Sequence, residues 1–111
     1  MPLGDYEIIV INDGSTDRTS YALELFHDAI RVVVNEENQG LPASLNRGIA
    51  VSKAPYLVRV DSDDYVNENF LQFLYYFLEQ NPEMDAIACD YWFFNDEEVW
   101  IRRANCLEEP I

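Results

Sequence analysis

The sequence predicts an α/β domain of three layers, a mostly parallel sheet with helices on both faces. Short apolar, β-branched runs alternate with stretches of helical period. The runs are nearly continuous in apolar character, as in strands covered on both sides. Polar and acidic turn residues follow two of them directly. A chain of 111 residues, 49% hydrophobic and 14% aromatic, allows one small domain with a core of its own.

Tyr6–Ile11 is the first strand by this pattern. Asn12-Asp13-Gly14-Ser15-Thr16-Asp17 ends it with turn chemistry. Ser15 or Thr16 is placed to cap a helix from Asp17 to His27, with Tyr21, Leu25 and Ala22 on its inner face. Ile30–Val34 predicts a second buried strand and residues 35–40 a polar loop. A helix over 41–52 follows, with Pro42 tolerated in its first turn. Its small residues Ala43, Gly48 and Ala50 let it lie close to a sheet. Tyr56–Val60 predicts a third strand, with Asp61-Ser62-Asp63-Asp64 just past its C-terminal end. A helix over 67–80 stops at Asn81-Pro82, and Phe70, Leu74, Phe77 and Leu78 share one of its faces. Because that helix is apolar nearly all round, a second face is available to a partner. Residues 84–94 contain a further strand, 95–98 a turn, and Val99–Arg102 a returning hairpin strand. Residues 104–111 read as a frayed tail. The absence of repeats and Gly/Ser linkers makes residues 1–111 a single domain. In such sheets ligands gather at the carboxyl ends of the strands, where the loops after Ile11 and Val60 both fall.

Seven Lys+Arg against 21 Asp+Glu give a net charge of −14. A basic footprint for nucleic acid is missing, and an anionic membrane would repel the chain. The same charge suits a divalent cation, or serves solubility alone. No run of apolar residues is long enough for a transmembrane helix, and the first residues lack the pattern of a signal peptide. Cys89 and Cys106 are far apart and form no CxxC pair. They predict free thiols in a reducing, cytoplasmic setting.

Asp61, Asp63 and Asp64 are the sharpest chemical feature. Crowded carboxylates repel one another, and Mg²⁺ or Mn²⁺ relieves the repulsion while bridging a substrate diphosphate. Alternation after a strand would point Asp61 and Asp63 into one cleft. The competing reading is that these acids cap the next helix and face water. Asp13 and Gly14 offer a carboxylate for a base N–H or ribose hydroxyl and a close backbone approach, or form an ordinary Asp-Gly turn. Asn38, Gly40 and Arg47 belong to a loop and helix start that either meet phosphate or are architectural. Arg47 has the further option of a carboxylate in the acidic loop. His27 reads as a capping or surface histidine.

Taken in order, "YEIIVINDGSTDRT" and "NEENQGLPASLNRGIAVSKAPYLVRVDSDD" resemble the family 2 glycosyltransferases over residues 6–84. The resemblance implies a Rossmann-like GT-A-type fold that binds a nucleotide-diphosphate sugar. It implies that Asp13 contacts the base, usually uracil, and that Asp61 contacts the ribose or the metal-bound diphosphate. Asp63 is then the main ligand of Mg²⁺ or Mn²⁺ and Asp64 assists, while Asn38, Gly40 and Asn46 match a largely architectural pattern. The implied reaction is an inverting, metal-dependent transfer from a nucleotide-diphosphate sugar, a UDP-sugar, to a hydroxyl of a saccharide or lipid-linked acceptor.

Two departures accompany the resemblance. The family's first strand, loop and helix are missing before Tyr6, and the acceptor half that carries a catalytic base lies beyond this chain's pattern. Asp90, Asp96, Glu97 and Glu98 are carboxylates near that region but follow no motif, so no base is assigned. The chain is therefore expected to be the donor-binding part of a glycosyltransferase truncated at both ends. Without the first strand, Tyr6–Ile11 and Tyr56–Val60 are expected to pair directly, or a homodimer to cover the exposed edges. Two other readings compete. One is a haloacid-dehalogenase-type phosphotransferase with Asp61 as nucleophile, which lacks a downstream lysine because the single lysine is Lys53. The other is a non-catalytic assembly module that keeps the fold.

Overall fold

A computed structural model describes residues 3–89, 91–94 and 99–102. The chain divides into two compact units, Met1–Asn69 and Phe70–Ile111.

In the first unit a 3-10 turn, Leu3–Asp5, precedes strand β1, Ile9–Asp13. Helix α1 spans Thr19–Glu24, strand β2 Arg31–Asn35 and helix α2 Leu41–Val51. β1 and β2 pair in parallel, from Ile9 opposite Arg31 to Asp13 opposite Asn35. α2 packs on β1: a Cβ at Gly48 would lie 3.4 Å from Ile11 Cδ1, so the small residue there lets the helix approach the strand. Ala43, Ser44, Leu45 and Gly48 form the covered side of α2, whereas Ala50 is exposed. The parallel pair joined through a helix is the α/β pattern that the alternating runs predict.

Several expectations are corrected. The strands are not covered on both faces: in β2 only Val33 and Asn35 are buried, and Val32 and Val34 face outward. Burial therefore follows the two-residue alternation of one covered face, with α2 as the cover for β1. α1 is six residues rather than eleven, and neither Ser15 nor Thr16 caps it. The N-cap position is Arg18, which makes no side-chain cap hydrogen bond, and Asp17 before it accepts hydrogen bonds from the Thr19 amide at 3.0 Å and from the Thr19 hydroxyl. Ser15 instead donates its amide to Asn12 Oδ1 at 3.1 Å. The predicted inner face of α1 is exposed, with Tyr21 at 79% and Leu25 at 81%. Residues 25–29 leave the helix in a succession of turns, so the register that would align Tyr21 and Leu25 is not continued.

Residues 56–60 join neither sheet, and the direct pairing expected with the first strand does not form. Leu57, Val58 and Val60 remain about half exposed. Strand propensity reflects packing on a covered, pleated surface, and a β-branched run without that cover does not become a strand by itself.

The second unit holds helix α3, Phe70–Gln80, and the antiparallel pair β3, Tyr91–Phe94, and β4, Val99–Arg102. The two strands form the hairpin that the sequence predicts, with a register from Tyr91 opposite Arg102 to Phe94 opposite Val99. α3 begins three residues later than expected, after Asn67 Oδ1 accepts the Asn69 amide at 2.8 Å. It ends as expected, with Asn81 Nδ2 donating to the Phe77 carbonyl at 2.8 Å. Phe70, Leu74, Phe77 and Leu78 are all partly buried, whereas Phe73 and Tyr76 are exposed. Cys89 is a free, exposed thiol. Asp90, the 95–98 turn, Cys106 and the 104–111 tail lie outside the described residues. Among the described residues no helix is long and apolar enough to cross a membrane.

Candidate functional site

The carboxyl ends of β1 and β2 carry a hydrogen-bonded hub centred on Asp13. Its Oδ1 accepts Asn35 Nδ2 at 2.9 Å and the Gln39 amide at 2.7 Å, and its Oδ2 accepts the Gly40 amide at 3.0 Å. These bonds, the Gln39 amide foremost and then Asn35, hold the carboxyl of Asp13 below its ordinary value of 3.8. Gly14 makes the approach of the two loops possible. Its φ is +71°, and a Cβ there would sit 2.5 Å from the Asn38 nitrogen and 2.8 Å from the Glu37 carbonyl carbon. Only a glycine accepts both conditions.

Asn35 is 2% exposed and ties the hub together. Its Nδ2 also donates to Ser44 Oγ at 3.1 Å, and its Oδ1 accepts from Arg47 Nη1. Arg47 Nη1 donates further to the Val34 carbonyl at 2.7 Å. Asn38 Oδ1 accepts the Gly40 amide at 3.1 Å, and Gly40, with φ +87°, begins α2. The amides just before α2 thus meet the Asp13 carboxylate, an anion supplied from within the chain. Asn46 is exposed on α2. Asn35 and Ser44 escaped the sequence reading. Their signal is the alternation of β2, where a polar residue occurs two positions after the buried Val33, and the covered stripe of α2, where Ser44 adjoins Ala43.

The second set lies on residues 59–64. Carboxylate oxygens of Asp61, Asp63 and Asp64 fall within 4.8 Å of one another, on exposed side chains. A turn, not strand alternation, brings them together: the Asp64 amide donates to the Asp61 carbonyl at 3.0 Å. Arg59, which the sequence reading also missed, grips Asp61 with two prongs. Nε reaches Oδ1 at 2.9 Å and Nη2 reaches Oδ2 at 3.2 Å. Hard oxygen donors at this spacing fit a Mg²⁺ or Mn²⁺ ion, with Asp63 and Asp64 offering oxygens outside the Arg59 pair. His27 hydrogen bonds to the Glu24 carbonyl at 3.0 Å and pairs with Asp28 on the surface.

Comparison with known proteins gives a match to the family model "Glycosyl transferase family 2" over residues 2–110. The chain is 34% identical over 95 residues to glycosyltransferase GlyG of Streptococcus pneumoniae serotype 4, covering 83% of this chain and 31% of that protein. It is 37% identical over 92 residues to the uncharacterized glycosyltransferase EpsJ of Bacillus subtilis, covering 81% of this chain and 26% of that protein. A poly(ribitol-phosphate) beta-glucosyltransferase of Bacillus spizizenii is 36% identical over 85 residues, covering 73% of this chain and 13% of that protein. The chain thus spans less than a third of the length of each of these relatives.

Proposed function

We propose, from the premise that this chain belongs to glycosyl transferase family 2, that it forms the donor-binding part of a glycosyltransferase. The donor is a nucleotide-diphosphate sugar, with UDP as the nucleotide, and the acceptor is a hydroxyl of a saccharide or lipid-linked sugar. The transfer inverts the anomeric centre and takes place on the cytoplasmic side. The observation that carries the reading is the convergence of the Asp61, Asp63 and Asp64 oxygens within 4.8 Å.

Asp13 supports the nucleoside assignment. The hub holds its carboxylate at the carboxyl end of β1, the edge where a base N–H would find an acceptor. The hub also fixes that carboxylate before the ligand arrives, which lowers the ordering cost of binding. Asp61 contacts the ribose or the diphosphate, and Asp63, with Asp64, holds Mg²⁺ or Mn²⁺. The ion, when bound, neutralises charge on the departing diphosphate. The acceptor oxygen bonds to the anomeric carbon as the bond to the diphosphate breaks, and its proton passes to a base for which this chain offers no assigned residue. Asn38, Gly40 and Arg47 act by holding the Asp13 loop in place.

Calorimetric titration of the chain with UDP and Mn²⁺ tests this. Binding heat is expected for the wild type and is lost in Asp63→Ala. Absence of heat at millimolar UDP in the wild type would overturn the donor-site reading and favour an assembly module.

A further inference from the structure

The three aspartates are not equivalent. Asp61 has both oxygens engaged by one guanidinium, at 2.9 and 3.2 Å, whereas Asp63 and Asp64 stand beside it. The other arginines that hydrogen bond near β2 and α2 donate to carbonyls: Arg31 to Val51 at 3.1 Å and Arg47 to Val34 at 2.7 Å. Arg59 therefore differs from them in acting on the acidic turn. A planar guanidinium against a carboxylate fixes geometry as well as charge. A divalent cation approaching Asp61 must either displace that fork or accept a positive neighbour a few ångströms away, and both weaken its hold.

We propose that Arg59 is a positioning residue that withholds Asp61 from the cation, so that Asp63 and Asp64 alone hold the ion until a diphosphate completes its shell. The inference rests on the donor-site reading. Its consequence is that ion and nucleotide each bind weakly alone and strengthen one another, because two carboxylates supply too few ligands for an ion that prefers six. An acidic turn without the fork would sequester divalent ions whether or not a donor was present.

The test is Mn²⁺ binding to the full 111-residue chain, read from the electron paramagnetic resonance of free Mn²⁺ with and without UDP. Far-UV circular dichroism checks the fold of each variant. Without UDP, Arg59→Met is expected to bind Mn²⁺ about twofold more tightly than wild type, and UDP then adds less to that affinity. The gain disappears when Asp61→Asn is combined with it. In the wild-type background, Asp61→Asn weakens Mn²⁺ binding far less than Asp63→Asn does. The proposal is overturned if Arg59→Met leaves affinity unchanged or lowers it, or if the gain survives in the double variant. It is also overturned if Asp61→Asn costs as much as Asp63→Asn. A wild type that binds no Mn²⁺ even with UDP, or an Asp63→Asn variant that binds normally, instead overturns the donor-site reading itself.

Discussion

Asp13 and Asp61 are carboxylates that each follow an apolar segment, yet they are held in opposite ways. Asp13 accepts bonds from residues 22, 26 and 27 positions along the chain, two of them backbone amides. Asp61 is gripped by a side chain two positions away, on an exposed turn. The first carboxylate is therefore part of the tertiary structure, tying the end of β1 to the Asn35 side chain and to the loop before α2. The second is a local ion pair on an exposed turn. Two aspartates that look alike in sequence thus differ in what holds them, distant parts of the fold for one and a neighbouring side chain for the other.

The largest effect should come from the glycine that lets the Asp13 loop close. Gly14→Ala adds a Cβ 2.5 Å from a backbone nitrogen and imposes a φ of +71° on a residue that disfavours it. Backbone cannot step aside as a flexible side-chain tip would. A loss of about 4 kcal/mol is expected, against about 2 kcal/mol for Gly40→Ala, where φ is +87° but the added Cβ meets nothing nearer than Pro42 Cδ at 4.0 Å. Urea unfolding of the two variants checks the order. Equal losses would show that backbone conformation alone, and not the closeness of the loops, sets the requirement at Gly14.

Acid offers a smaller and reversible way to weaken the same hub. The Asp13 carboxyl is held below 3.8 chiefly by the Gln39 amide, then by Asn35. A depressed folded-state value means that the unfolded chain binds the proton first as pH falls. The stabilisation is complete above the ordinary carboxylate value and is lost as pH drops through the lower folded value. Asp17, held down by the Thr19 hydroxyl and amide, titrates in the same window. Urea midpoints followed from pH 6 downward in roughly half-unit steps should therefore fall below about pH 4 in the wild type and fall less steeply in Asp13→Asn. An unchanged slope in that variant would assign the acid loss to Asp17 and the other carboxylates.

Legibility in the sequence followed how local each determinant was. The β3–β4 hairpin, the end of α3 at Asn81 and its partly buried stripe were legible because short-range pattern and turn chemistry decide them. The strand expected at 56–60 was not, because a β-branched run becomes a strand only where a neighbour and a cover exist, and neither is written in those five residues. The site divides similarly. Asp13, Gly14 and the aspartates after Val60 were visible as motif residues. Asn35, Ser44 and Arg59 were hidden, since their importance arises from partners brought by the fold or by a turn.

The smallest effect on stability should come from the Arg59–Asp61 pair, and its smallness is what separates the two regions. Both side chains are about half exposed, so water competes for the charges and salt screens them. Arg59→Met should cost less than about 0.5 kcal/mol at physiological ionic strength, and the cost should vanish in about 1 M salt. Removing the guanidinium also leaves three carboxylates facing one another, so a small loss at low salt that disappears with screening identifies their repulsion as its source. A salt-independent loss of several kcal/mol, measured by the same urea unfolding, would place Arg59 in the load of the fold as Asn35 is, and the contrast between an organising aspartate and a ligand-facing one would no longer stand.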